Sequence, residues 1–187
     1  MDLAGSGGSA AIKFAGIALC FAYSVYISAK GGDKLAAVGV GFAMCADVFL
    51  LLLDTLYALG VALFLCAQVA YFSRIYRHNG GKSAAALHAG SFAAAAIVLA
   101  AMKMLTPLNA LCALYFTFFA CNVYQSFGAK NRLFSIGLSL FICCDICVGL
   151  HNAPFALPLW LTQFAALGMW TFYLPSQVLI TLSGRMR

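Results

Sequence analysis

A chain of 187 residues, of which 64% are hydrophobic and only 9% charged, has too little polar surface for a soluble domain of its size. Its formal net charge of +6 is distributed one to three residues at a time over short loops, which is typical of membrane proteins and not of a nucleic-acid-binding surface. Composition and charge therefore exclude a soluble globular protein and predict a protein embedded in lipid.

Seven apolar segments follow one another along the chain, and each is long enough for a helix that crosses a hydrocarbon core of about 30 Å. They cover approximately residues 12–28, 35–53, 56–75, 84–102, 108–124, 133–150 and 157–182. Strand-like alternation is missing from all seven, and a backbone in lipid must satisfy its own hydrogen bonds, so helices are predicted and not a barrel. The predicted fold is all-α, a polytopic transmembrane bundle of about seven helices. We expect residues 1–11 to form a short mobile tail and residues 12–187 a single transmembrane domain.

The basic residues are divided unequally between the two sides of the predicted bundle. Seven crossings leave Lys13 and Lys103 on one side and place the other nine Lys and Arg residues on the opposite side. Because basic loops stay in the cytoplasm, this bias predicts a cytoplasmic C-terminus and an outward N-terminus. A cleaved signal peptide that starts near Lys13 is the alternative for the first segment, but a clear small-x-small cleavage site is missing.

All eight cysteines fall within the predicted spans. Since disulfides need an oxidising aqueous environment, we interpret these cysteines as reduced, small packing residues. Cys144 and Cys147 form a Cys-x-x-Cys, but the second pair that a structural zinc site needs is missing. Three histidines, His78, His88 and His151, are not clearly placed to meet a common site, so we predict no metal, no other cofactor and no histidine base.

Two aspartates lie deep in separate apolar segments, Asp47 in the second and Asp145 in the sixth. The two segments are four crossings apart and so run in the same direction, and each aspartate follows a basic loop by about the same distance. We therefore expect the two carboxyl groups at similar depth, beyond the midplane, where they can meet. An ionisable residue inside a span costs at least about 2.5 kcal/mol and usually serves a function. The alternative is that each aspartate only fastens helices together through a hydrogen bond.

Further polar residues lie within other predicted spans. Gln68 and Tyr71 share one face of the third segment, Tyr173 and Gln177 share one face of the seventh, and Asn122 lies in the fifth. Each residue alone is more often a hydrogen-bonded contact between helices. Together they provide enough donors and acceptors to line a small polar cavity around the aspartates.

The residues around the first aspartate resemble the lysoplasmalogenase family, also called YhhN-like proteins. The family's first signature is Gly-Asp with an apolar run, followed by a helix that reads Gly-x-x-x-Phe-x-x-x-His-x-x-Tyr. The segment from Ala46 to Leu50 is similar to its first part, and Gly60, Phe64, Gln68 and Tyr71 follow the spacing of its second part. The chain departs from the family in having Ala46 for the glycine, Gln68 for the histidine, and seven predicted spans where eight are usual.

A second signature of the family covers the last two spans. It combines an apolar helix that ends in Ser-Asp or Cys-Asp with a terminal helix that contains tyrosines and a glutamine. Residues 144–149 and 170–177 are similar to these two parts, and the resemblance as a whole covers nearly the entire chain.

The resemblance implies hydrolysis of the vinyl ether bond of lysoplasmalogens to a fatty aldehyde and a glycerophospho-base. Cleavage begins with protonation of a carbon and continues with capture of an oxocarbenium ion by water, and two close carboxyl groups that share one proton provide both the acid and the base. We therefore expect Asp47 and Asp145 to act jointly in catalysis. The expected substrate-binding residues are Gln68, Tyr71, Asn122, Tyr173 and Gln177.

The expected partners are a lysophospholipid substrate and the bilayer, without nucleic acid, in the plasma (inner) membrane of a bacterium; the sequence leaves the oligomeric state open. Two other functions fit the same residues. A proton-coupled small-molecule transporter would use the buried carboxylates as a relay, and a catalytically inactive relative would explain Gln68 in place of the family's histidine. The residues favour the enzyme only through the family resemblance.

Overall fold

The computed structural model describes residues 7–53, 55–79, 82–128, 131–152 and 157–185, and these residues form seven α-helices and no strand. The helices are α1 (Gly7–Ala29), α2 (Lys34–Asp47), α3 (Tyr57–Asn79), α4 (Lys82–Ala101), α5 (Pro107–Ser126), α6 (Arg132–His151) and α7 (Leu159–Ser183). A π-helical turn, Val48–Leu52, directly continues α2. The all-α prediction is confirmed.

Among the described residues, six helices are long and apolar enough to cross a membrane, namely α1, α2, α3, α5, α6 and α7. The fourth predicted span, residues 84–102, corresponds to α4, and the shorter apolar segment Ala86–Ala101 is found in its described part. The polytopic helix bundle is therefore confirmed. At the N-terminus, α1 begins at Gly7, five residues before the start of the first predicted span. Residues 1–6 lie outside the described residues, and the mobility of the tail stays a prediction.

The six long helices close into a ring in the order α1, α2, α3, α5, α6, α7, and α4 packs against α5 from outside the ring. One end of the ring carries the α1–α2 turn and the C-terminal end of α7, because the Asp33 amide donates to the Gly184 carbonyl (2.9 Å). The start of α6 lies at the same end, since Asn131 Nδ2 donates to the Ser183 carbonyl (2.9 Å). Helices α2 and α6 therefore start at one end and run parallel, as the sequence predicts. We call this end, with residues 30–34, 131–132 and 184–185, the basic end.

A buried arginine ties the helices together at the basic end. Arg74, which the sequence places among the loop charges, lies in α3 and is only 3% exposed. Its Nε lies 2.7 Å from Asp33 Oδ2, its Nη1 and Nη2 donate to the hydroxyl and carbonyl of Ser183 (2.7 and 2.8 Å), and its guanidinium lies 4.2 Å from the centre of the Phe134 ring. Asp33 also caps α2 by accepting from the Leu35 amide (2.9 Å). The α1–α2 turn, α3, α6 and α7 are thus joined through one side chain.

The apolar core fills the interior of the ring. Phe141 of α6 is fully buried at its centre, with ring centroids 4.9 Å from Phe119, 5.7 Å from Phe64 and 5.7 Å from Tyr173. All eight cysteines are free thiols, and Cys20, Cys121, Cys144 and Cys147 are buried in the packing. Aromatic packing thus surrounds the position at which the polar residues of α2, α5, α6 and α7 meet.

Candidate active site

Asp47 is the last residue of α2, at the point where the helix widens into the π-helical turn. It is 7% exposed and accepts a hydrogen bond from the phenol of Tyr173 in α7. Gly60 allows the start of α3 to pack closely against this turn, because a Cβ there would lie 2.4 Å from Leu50 Cγ. Short π-helical segments are frequent at functional sites, where they redirect a side chain. Here the segment begins directly after the buried carboxyl group.

Asp145 occupies the equivalent position in α6. It lies thirteen positions after the first residue of its helix, Arg132, as Asp47 lies thirteen positions after Lys34. At 1.5 Å per residue, both carboxyl groups are about 20 Å from the basic end. Asp145 is partly exposed and accepts a hydrogen bond from the phenol of Tyr115 in α5.

The two aspartates lie in the same part of the bundle interior. Asp47 and Asp145 are close enough for their charges to interact, and the buried thiol of Cys144 lies near both carboxyl groups. Tyr115 and Tyr173 belong to the same buried cluster. The site therefore contains two carboxyl groups from parallel helices, and each receives a hydrogen bond from a tyrosine of a different neighbouring helix.

A second polar group connects α3, α4 and α5. Asn122 Nδ2 donates to the carbonyl of Gln68 (2.8 Å) and to its Oε1 (3.0 Å), and both side chains are fully buried. Nε2 of His88 lies 3.3 Å from Asn122 Oδ1, and Gln125 Nε2 lies 3.4 Å from Nδ1 of the same ring. The structure thus brings Gln68 and Asn122 together through hydrogen bonds between two helices, and their role in lining a substrate cavity stays a prediction. His88 joins them from the peripheral helix α4, and its alanine-rich surroundings in the sequence give no signal of this position.

Three fully buried side chains carry polar atoms without a hydrogen-bond partner among the described residues. These atoms are Gln68 Nε2, Tyr71 Oη and both Nε2 and Oε1 of Gln177. The Tyr71 ring packs on Gly39 of α2, where a Cβ would lie 2.2 Å from its Cε1. Because an unsatisfied buried polar atom costs about 1–3 kcal/mol, such atoms are usually satisfied by water or by a ligand. Gln177 lies next to the aspartates, since it follows Tyr173 by one turn of α7.

The sequence analysis names five of the six uncharged polar side chains described here within the ring, but misses Tyr115. A signal for it exists, because Tyr115 precedes Asn122 by seven residues and so lies on the same face of α5. Among the residues that the structure describes, no three His, Cys, Asp or Glu side chains are grouped as metal ligands.

Comparison with known proteins gives one finding. A model of the YhhN family matches residues 8–184, which is nearly the whole chain. No curated protein and no solved structure matches the chain.

Proposed function

The chain belongs to the YhhN family, which includes lysoplasmalogenases, and we propose that it is a membrane-embedded hydrolase that cleaves the vinyl ether bond of lysoplasmalogens. The products would be a fatty aldehyde and a glycerophospho-base. The observation that best supports this proposal is the pair of carboxyl groups, Asp47 and Asp145, each held by the phenol of a tyrosine inside the ring of helices.

The proposed reaction uses the pair with one proton between them. The protonated carboxyl group gives its proton to the vinyl carbon that does not carry the ether oxygen, and an oxocarbenium ion forms. The second carboxylate removes a proton from water as the water oxygen bonds to the cationic carbon. The resulting hemiacetal then breaks its bond to the glycerol oxygen, which leaves with a proton as the hydroxyl oxygen becomes the aldehyde carbonyl. One water is consumed, and the pair again holds one proton.

The remaining polar residues have supporting roles in this proposal. Tyr115 and Tyr173 fix the orientation of the two carboxyl groups through their hydrogen bonds. Gln68, Tyr71, Asn122 and Gln177 supply the donors and acceptors that hold water and the polar part of the substrate, which is consistent with the unpaired atoms on three of them.

The hydrocarbon tail of the substrate would reach the site sideways, between α5 and α6. Helix α6 packs far more extensively against α7 than against α5. The hydrogen bond from Tyr115 to Asp145 spans the looser of these two contacts.

The orientation in the membrane is also part of the proposal. The exposed cations Lys30, Lys34, Arg132 and Arg185 lie together at the basic end. Because basic segments are retained in the cytoplasm, we place this end and the C-terminus on the cytoplasmic side of the plasma membrane of a bacterium.

The test is release of aldehyde from a lysoplasmalogen by the purified protein in detergent. We expect Asp47→Asn and Asp145→Asn each to lower the rate by about 100-fold or more, since general acid–base groups contribute roughly 10²–10⁴-fold. A lysolipid with a saturated alkyl ether serves as the substrate control, because it has no vinyl carbon to protonate. Melting temperatures of the variants show whether they are folded.

Absence of aldehyde release by folded wild-type protein would reject the hydrolase. Hydrolysis proceeds in detergent, whereas a transporter needs a closed compartment. Proton-dependent uptake into sealed vesicles without hydrolysis would therefore assign the same aspartates to transport.

A further inference from the structure

A cavity of about 670 Å³ opens at the basic end, away from the aspartates. It is lined by the last turn of α1, the α1–α2 turn and the second residue beyond the end of α7: Tyr26, Ile27, Lys30, Gly31, Gly32 and Arg185. Its floor depends on two glycines. Gly31 has a left-handed backbone (φ 91°), and a Cβ at Gly32 would lie 2.7 Å from the Gly184 carbonyl oxygen. The α1–α2 turn can therefore lie directly against the end of α7.

The described residues that line the cavity include two positive charges and no acidic side chain. Lys30 Nζ lies 5.8 Å from the centre of the Tyr26 ring, and Arg185 Cζ lies 5.0 Å from the centre of the Tyr23 ring. The two tyrosine rings are themselves stacked, with centroids 6.1 Å apart. The nearby carboxylate of Asp33 is already bound by Arg74. A lysine and an arginine are thus positioned by a stacked aromatic pair, and both charges are available to an anion.

The surroundings favour a lipid anion over a soluble one. The span formed by α1 ends at Ala29, so the cavity lies at the membrane boundary. Next to it, Leu19 and Tyr26, which are 71% and 55% exposed, lie two turns apart on one face of α1. Acyl chains can lie along this apolar face while the phosphate reaches the two cations, and tyrosine and basic residues are typical of the headgroup level.

We propose that this cavity binds the phosphate of an anionic phospholipid. The site is separate from the aspartate pair, because both carboxyl groups lie about 20 Å along α2 and α6 from the basic end. The bound lipid is therefore not the molecule undergoing hydrolysis, and the proposal does not depend on the proposed activity. Arg185 and the α1–α2 turn meet at this cavity, so the lipid joins the end of α1 to the end of α7.

The experiment measures the melting temperature of the purified protein in a neutral detergent with added phosphatidylglycerol, phosphatidylcholine or inorganic phosphate. We expect phosphatidylglycerol to raise the melting temperature by several degrees, because a ligand that binds only the folded state stabilises it. Phosphatidylcholine and millimolar inorganic phosphate should have little effect. In the double variant Lys30→Gln/Arg185→Gln, the increase with phosphatidylglycerol should disappear.

The matched control removes the same charge from the same end of the bundle. Lys34 and Arg132 are exposed there but do not line the cavity, so Lys34→Gln/Arg132→Gln should keep the increase. An equal loss in both double variants would show that only general attraction to anionic lipid is at work, and would overturn the proposal. An equal effect of phosphatidylcholine would do the same. An effect of inorganic phosphate as large as that of phosphatidylglycerol would overturn the lipid assignment in favour of a soluble anion.

Discussion

Tyr115 and Tyr173 determine how the two carboxyl groups are presented. Each phenol donates to one aspartate, and the two tyrosines come from helices on different sides of the pair. An aspartate side chain without such a donor can rotate and bind another polar group, so the tyrosines act as positioning residues. Their effect should therefore appear in the rate of the reaction.

The prediction at this scale concerns Tyr115→Phe and Tyr173→Phe. Each substitution removes a hydrogen bond to a carboxyl group, worth about 1.5–3 kcal/mol, so we expect aldehyde release to fall by roughly 10- to 100-fold. The matched control is Tyr124→Phe, since Tyr124 is 74% exposed on α5 and should be neutral. Full activity in both Phe variants, measured on folded protein, would contradict the positioning role.

The sequence predicts that Asp47 and Asp145 lie at the same depth, but not which tyrosine binds each carboxyl group. The depth of Asp47 and Asp145 follows from a constant rise per residue and from the basic residues that start α2 and α6. Which tyrosine reaches which carboxyl group depends on how α5 and α7 are rotated and which helices they contact. Helices that are apolar on most faces do not encode this rotation in their hydropathy, so the hydrogen bond from Tyr115 to Asp145 and the position of His88 are recognised only in the structure.

At the scale of helices, the sequence of α4 predicts a span but not the position of that span in the bundle. Its alanine-rich sequence is apolar enough to predict a span, yet α4 lies outside the ring that the other six helices form. Alanine and glycine fit equally well against lipid and against another helix, so the composition does not indicate a peripheral position. The other predicted spans overlap the observed helices because continuous apolar segments of about 20 residues are a strong signal in lipid.

Access to the site between α5 and α6 can be tested at Gly149. This glycine lies one turn beyond Asp145 on the same face of α6, and a Cβ there would meet nothing within 4 Å. Gly149→Trp should therefore fold normally but obstruct the approach of the lipid tail. We expect KM for the lysoplasmalogen to rise several-fold, with a smaller change in kcat.

A matched control for this prediction is Gly90→Trp. Gly90 lies on α4, and a Cβ there also meets nothing within 4 Å. The two substitutions thus add the same side chain at positions with equally open surroundings, but only Gly149 lies next to an aspartate. Equal KM values for the two variants would count against access between α5 and α6.

For the whole molecule, the largest loss of stability is expected at Arg74. Removing one partner of a buried ion pair leaves the other charge unpaired and costs about 3–5 kcal/mol, so Arg74→Gln should lower the free energy of unfolding in detergent by this amount. Arg77→Gln is the control, because Arg77 is exposed one turn further along α3. Removing both charges leaves no charge unpaired. The double variant Asp33→Asn/Arg74→Gln should therefore lose less free energy of unfolding than the two single variants lose together. Equal stability of the Arg74 and Arg77 variants would contradict this role.

The hydrogen bond between Tyr173 and Asp47 joins positions that are 126 residues apart. During synthesis at roughly 5–20 residues per second, Asp47 leaves the ribosome about 6–25 s before the tyrosine that will bind it. Throughout that interval the nascent chain contains an acid in its second span whose donor has not yet been translated. The completed pair can therefore assemble only after the last helix has been inserted, so a prematurely terminated chain would reside in the bilayer without a competent centre.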